Sequence, residues 1–341
     1  MTKVTIIYCS GMFIITEETA CSFNTPLQRG EKHLWPSYNT LNTKKRIGAQ
    51  NSMNICFITS SYYLTPGNLA HGGKAWIHGL ALPLLASYVG DGHSVSLIND
   101  SVHPIPNKDH FDIFFISIMG SVIDRARDLA NTLKTDKNYI IAGGKTLNEF
   151  AAEVEPFVDG IILGEGEGVI GQIVSDVKNK RLQKRYGSPD LRNSLENLLV
   201  PRYDLIDRKR HGFMYPVEAT RGCTNSCSFC YVHAWSKGLF RKRPIEHVIR
   251  DIEHLKTLDI RHVLFVDDNL FLDREYALAL FRRMEPLKIK WVSQVTAAAV
   301  ADEELMKAAS VSGCIGLTIG YESMTLESLK NVNKPNNPDT Y

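Results

Sequence analysis

The run Thr220-Arg221-Gly222-Cys223-Thr224-Asn225-Ser226-Cys227-Ser228-Phe229-Cys230 decides how the rest of the chain is read. It places three of the chain's seven cysteines in C-x3-C-x2-C spacing, directly after the apolar stretch 215–219. Thiolates are soft ligands that suit iron–sulfur clusters or zinc, and a short loop can turn three of them toward one centre. A cubane cluster takes four ligands, so a trio leaves one iron for a group that is not protein. Zinc is the alternative, because His233 extends the pattern to C-x3-C-x2-C-x2-H. Against it, zinc modules usually bring two close pairs of ligands, and a large domain needs no metal staple.

Downstream of the cysteines, apolar runs of strand length alternate with helical patterns. Strands are expected at 215–219, 262–266, 290–295 and 314–319, and helices at about 244–257, 273–284, 302–310 and 325–331. Pro244 suits a helix start, and Asp302 with Glu303 and Glu304 suits a helix amino end. Such a series predicts a (βα) barrel whose active site lies at the carboxyl ends of its strands, where the cysteine loop falls.

Upstream, residues 53–180 repeat the alternation. Strands are expected at 54–58, 94–98, 112–117, 138–142 and 158–163, with helices at about 74–90, 121–134, 146–154 and 167–179. Unbroken apolar strands separated by helices predict an α/β doubly wound parallel sheet, which takes ligands at its strands' carboxyl ends. The loops there are small or glycine-rich: Ser60-Ser61, Ser117 to Ser121, Gly143-Gly144 and Gly164-Glu165-Gly166-Glu167-Gly168. Glycine lets backbone approach a ligand closely, although it also serves simply to turn the chain. Residues 181–214 read as a linker rich in Lys and Arg, without the interleaved aromatics that would suit nucleic acid. Residues 1–52 show no sustained period and read as a poorly ordered extension, with Met53 the expected start of folded structure.

Composition narrows the function classes. The 341 residues allow about two ordinary domains, and a net charge of +2 gives no electrostatic argument for nucleic acid or membrane. No apolar run approaches the ~18 residues of a membrane span, and no secretory signal opens the chain, so a cytoplasmic protein is expected. The odd cysteine count with one tight cluster reads as reduced thiols around a ligand site. Cys56 and Cys314 lie in apolar strands and read as inert.

Two resemblances sharpen this. The segment Leu84 to Val95, the Gly143-Gly144 turn and Asp159 to Glu167 resemble the cobalamin (vitamin B12)-binding domain that precedes many radical S-adenosylmethionine (SAM) enzymes. Asp91-Gly92-His93 lacks the glycine that completes the family's cobalt-ligating Asp-x-His-x-x-Gly loop, so His93 reads as structural. The cysteine loop, with Arg221-Gly222 before it and Phe229 within it, resembles the radical SAM superfamily. That resemblance covers 215–341. It implies that Cys223, Cys227 and Cys230 hold a [4Fe–4S] cluster whose open iron is chelated by S-adenosylmethionine, from which a 5′-deoxyadenosyl radical is made. It further implies cofactor contacts from Phe229, Asp268, Gln294, Glu322 and Ser323, and cobalamin contacts from Ser117, Gly143, Gly144, Gly164 and Glu165.

Family barrels continue with two more strand–helix units, so 215–341 reads as an incomplete radical SAM barrel. The function implied is a cobalamin-dependent methyltransferase acting on an unactivated carbon of a small-molecule substrate, with a reductant such as flavodoxin or ferredoxin. Two alternatives stay open: a radical SAM enzyme that does not use cobalamin, and a non-catalytic metal-binding fragment.

Overall fold

A computed structural model describes residues 52–190 and 192–338, together with the backbone of Val4–Cys9 and Met12–Glu17. The first half is a six-stranded, wholly parallel sheet. Strand Asn54–Thr59 lies between Ser94–Asn99 on one side and Ile113–Ser117 on the other, followed outward by Tyr139–Gly143, Gly160–Leu163 and Arg185–Gly187. The strands form here because each is a continuous apolar run: Ile55 to Ile58 and Ile113 to Ile116 are all buried, as a sheet covered on both faces requires. Strand order reverses between Asn54–Thr59 and Ile113–Ser117, so the switch point at which such sheets take ligands lies beside Thr59 and Ser117.

The second half is a curled parallel sheet made from His211–Val217, His262–Phe265, Lys290–Thr296 and Cys314–Gly320. Helices Ile245–Thr257, Arg274–Met284 and Glu303–Val311 cover its outer face. Asp273 and Asp302 cap the last two, accepting from the amides of Tyr276 and Leu305. One apolar core runs from Ile55 to Ile319 through both halves, with Trp291 at its centre in the second.

Three elements depart from expectation. The helix foreseen over 74–90 is confined to Ala81–Ala86, because Ala75–Ile77 instead adds a parallel strand beside His211–Val217. Arg185–Gly187, within the expected linker, extends the first sheet by pairing with Gly160–Leu163. In the expected extension, Val4–Cys9 and Met12–Glu17 form an antiparallel hairpin that pairs with Cys314–Gly320. Both runs are rich in β-branched and aromatic residues, which favour strands. Residues 18–51 of that extension lie outside the described residues.

The two halves also meet at three buried histidines. His78 and His211 have ring centroids 4.8 Å apart, and His103 and His211 5.7 Å. His211 Nε2 lies 3.3 Å from Asn99 Nδ2, and His103 Nε2 is 3.3 Å from the Asp207 carboxylate. Burial pulls the His78 imidazole down from 6.5 to about 4. The folded protein therefore keeps His78 neutral where the unfolded chain takes up a proton, and this contribution to stability is lost as pH falls from about 6.5 toward 4. Between pH 7 and pH 5 the loss attributable to His78 is expected to be about 2 kcal/mol. Urea denaturation of the wild type and His78→Gln at both pH values checks this, the variant showing the smaller fall.

Candidate functional site

The cysteine loop starts at the carboxyl end of strand His211–Val217, and its backbone is pinned before the first thiol. Asp267, at the end of the neighbouring strand, accepts from the amides of Ala219 and Thr220 and, at 2.7 Å, from the Thr220 hydroxyl. It is 1% exposed, and burial pushes its carboxyl up to about 7 despite these donors. Asp268 accepts from the Gly222 amide at 2.8 Å. Gly222 sits at φ +93°, and a Cβ there would lie 2.0 Å from the Leu239 carbonyl oxygen. Only glycine fits this conformation and this space. Gln294 ties the Asp pair to the third strand, donating to the Asp267 carbonyl at 2.7 Å and that of Asp268 at 3.2 Å.

Cys223, Cys227 and Cys230 are all free thiols. The Cys223 sulfur accepts from Asn225 N at 3.5 Å and Asn269 Nδ2 at 3.7 Å. Cys227 is buried, which pushes its thiol up, against the pull of the Lys334 ammonium. The Asn269 oxygen is buried with no hydrogen-bond partner and belongs to a pocket that Asn225 also lines. Among the described residues no three His, Cys, Asp or Glu side chains converge on a single ion. His233 does not join the thiols in such a group, and its buried Nδ1 has no partner. Three thiols carried on one short loop are a donor set that suits an iron–sulfur cluster, which takes soft thiolate ligands.

Glu322 and Ser323 follow the last parallel strand. Glu322 adopts φ +65°, a left-handed conformation uncommon outside glycine, and its carboxylate accepts from Lys334 at 3.1 Å. Ser323 accepts from the Thr325 amide at 3.1 Å and so shapes the turn into helix Leu326–Asn331. The segment after that helix folds back on the cysteine loop, with Ser228 N donating to Val332 O at 3.0 Å. Phe229 is 54% exposed, so it is not a core residue and its ring is open to a ligand.

The carboxyl edge of the first sheet faces this loop. Tyr231, directly after Cys230, donates its hydroxyl to the Lys145 carbonyl at 2.8 Å. The Lys145 ammonium lies 4.3 Å from the Trp235 ring centroid and 3.9 Å from the Asp268 carboxylate. Gly143 and Gly144 lead into Lys145, and Ser117 pairs in register with Thr59 and Gly143. At Gly144, φ +147°, a Cβ would lie 1.9 Å from the Ile118 carbonyl oxygen. The hydroxyl of Ser60, at the same edge, is buried without a partner. Gly164 is held by Asn148 Oδ1, 3.0 Å from its amide. Glu165 pairs with Arg221 and Arg241. His93 sits at the opposite end of the sheet, where its Nδ1 accepts from Met53 N at 3.1 Å.

Sequence reasoning gave no role to Lys145, Asn269, Lys334 or Glu218, and did not foresee that Glu165 and Glu167 pair with Arg221. Only the approach of distant segments reveals these contacts.

A doubly wound sheet whose carboxyl edge abuts a three-cysteine loop at the end of a curled (βα) sheet defines a two-module α/β protein. Residues 217–341 match the radical SAM superfamily, and this part of the chain is a radical SAM domain. The chain is 25% identical over 234 residues to bacteriochlorophyllide d C-12(1)-methyltransferase of Chlorobaculum tepidum, covering 67% of this chain and 51% of that protein. To cytidylyl-2-hydroxyethylphosphonate methyltransferase of Streptomyces wedmorensis it is 34% identical over 124 residues, covering 35% of this chain and 23% of that one. The fold resembles the radical S-adenosylmethionine methyltransferase TsrM of Kitasatospora setae, solved with cobalamin and a [4Fe–4S] cluster. The TM-score is 0.61 at 15% identity, over 82% of this chain and 60% of that chain. The chain thus spans 51% and 23% of the lengths of these two curated relatives. No helix among the described residues is long and apolar enough to cross a membrane.

Gly222→Ala is expected to displace the cysteine loop and destabilise the fold by roughly 1–3 kcal/mol. Thermal denaturation, with iron content after anaerobic reconstitution, checks this: iron per chain should fall well below the wild-type value.

Proposed function

We propose that the chain belongs to a cobalamin-dependent radical SAM methyltransferase that acts on an unactivated carbon of a small-molecule substrate. The observation that carries this reading is the contact between the two ligand edges, through the Tyr231–Lys145 hydrogen bond beside Cys230. It brings a surface suited to a flat, amide-rimmed cofactor next to the cluster loop.

Cys223, Cys227 and Cys230 would hold the cluster, and Asn269, with its unpartnered oxygen, would orient the pocket beside it. Glu322 and Ser323 would meet the amino-acid and ribose ends of S-adenosylmethionine, with Lys334 releasing the Glu322 carboxylate. Ser60, Ser117 and the backbone at Gly143-Gly144 would line the corrin site. When bound, the cluster supplies the electron that cleaves S-adenosylmethionine, and cobalamin supplies a carrier for the methyl group. The protein's own part is to fix the distance between the two cofactors and to keep water from the reacting carbon. A flavodoxin or ferredoxin would be the electron donor.

The pairing of the Glu165 carboxylate with Arg221 and Arg241 favours a second reading, a radical SAM enzyme that does not use cobalamin. Anaerobic reconstitution with iron and sulfide, followed by dithionite and S-adenosylmethionine, should yield 5′-deoxyadenosine in the wild type and none in Cys227→Ala. Protein passed through a desalting column after incubation with hydroxocobalamin should retain the corrinoid absorbance. Formation of 5′-deoxyadenosine without retained corrinoid selects the second reading, and zinc without iron would sink both.

A further inference from the structure

Glu165 and Glu167 follow strand Gly160–Leu163, at the edge where a cofactor is expected, yet both carboxylates are spent on the other half of the molecule. Arg221 NH1 lies 3.2 Å from Glu165 Oε1, and Arg221 NH2 lies 2.9 Å from Glu167 Oε1. Glu218, three residues before Arg221 in the chain, grips the same guanidinium at 2.9 and 2.8 Å. All four side chains are buried: Glu165 is 4% exposed, Glu167 9%, Glu218 9% and Arg221 8%. The two loop carboxylates have further partners. Arg241 grips Glu165 with both terminal nitrogens, NH2 on Oε1 at 2.5 Å and NH1 on Oε2 at 3.0 Å. Glu165 Oε2 also accepts from Asn193 N at 2.6 Å, and Glu167 Oε2 accepts from Asn193 Nδ2 at 3.2 Å.

The position of Arg221 gives this network its consequence. One residue, Gly222, separates it from the first cysteine, and that residue is wedged against the Leu239 carbonyl with its amide held by Asp268. The direction in which Cys223 leaves Arg221 is therefore set on both sides. A displacement of the guanidinium has no flexible linker in which to be absorbed before it reaches the first thiol. A carboxylate pair that served only to join the halves could sit anywhere on the junction; this one holds the residue that launches the cluster loop.

We propose that Glu165 and Glu167 are positioning residues for the iron–sulfur cluster, acting through Arg221. This rests on the cluster reading given above and assigns the Gly164–Gly168 loop a task other than touching a cofactor. Groups that orient metal ligands from behind set both the retention and the electronic character of the centre.

The test uses the whole chain, reconstituted anaerobically, as wild type, Glu165→Gln, Glu167→Gln and Arg250→Gln. The last loosens a different junction contact, since Arg250 pairs with Asp251 and the Leu198 carbonyl and does not touch Arg221. Three quantities are read: the melting temperature, the rate of iron loss to a chelator, and the EPR spectrum of the reduced cluster with and without S-adenosylmethionine. Both Glu variants should lose iron roughly 10-fold faster and show an altered EPR response to S-adenosylmethionine. Arg250→Gln should lower only the melting temperature. If Glu165→Gln does not fold, Glu167→Gln decides, because it leaves Glu165 on the arginine. Glu variants with wild-type chelation rate and spectrum, whatever their melting temperature, overturn the proposal. So does Arg250→Gln reproducing their changes. A wild type that takes up no cluster overturns both this proposal and the function on which it rests.

Discussion

A single buried guanidinium, that of Arg221, is enclosed by carboxylates from both halves of the chain, and the arrangement of the site depends on it. Burial disfavours its charge, but Glu218, Glu167 and Glu165 outweigh that and hold its pKa well above the usual value. A charge taken this far from water persists only while its partners stay in place, and losing one partner of a buried pair costs about 3–5 kcal/mol. Whole domains are stable by only about 5–15 kcal/mol. The relative placement of the two halves is therefore fixed by an interaction that tolerates little movement, and it lies one residue from Gly222 and two from Cys223.

Around that point the two parallel sheets impose complementary demands. Each directs its functional loops to the carboxyl ends of its strands, because the helical crossovers return along the faces and leave that edge open. In this molecule the two open edges meet. Lys145 joins them by its carbonyl to Tyr231 and by its ammonium over Trp235. The continuous core from Ile55 to Ile319 and the buried histidine cluster at His78, His103 and His211 close the junction elsewhere. The distance between the ligand edges is thus a property of the packed junction and not of a linker.

Much of the fold was legible in the residues. Five apolar runs in the first half and four in the second became strands within a few residues of their expected bounds, because apolar stretches of strand length set between helical patterns mark strands. The misreadings share one cause. Ala75–Ile77, Arg185–Gly187 and the hairpin Val4–Cys9 with Met12–Glu17 lie at the margins of sheets, where a short segment becomes a strand because a neighbour presents an unpaired edge. The helical pattern over 74–90 gave way to such an edge and survived only at Ala81–Ala86.

The site divides in the same way. Cys223, Cys227 and Cys230 stood out as a candidate ligand set without a structure, because thiolate ligands of one metal centre need a fixed residue type at close spacing. Asp268, Glu322 and Ser323 could be placed at strand ends by order along the chain, but not their partners. Tertiary structure alone decided that Asp267 is a buried backbone acceptor beside the more open Asp268, that Lys334 holds Glu322, and that Glu165 pairs with Arg221. Local spacing determines which chemistry a loop can hold, since ligands within one loop travel together. The partner of a buried charge, in contrast, comes from whichever distant segment the fold brings alongside, and no pattern within either segment encodes it.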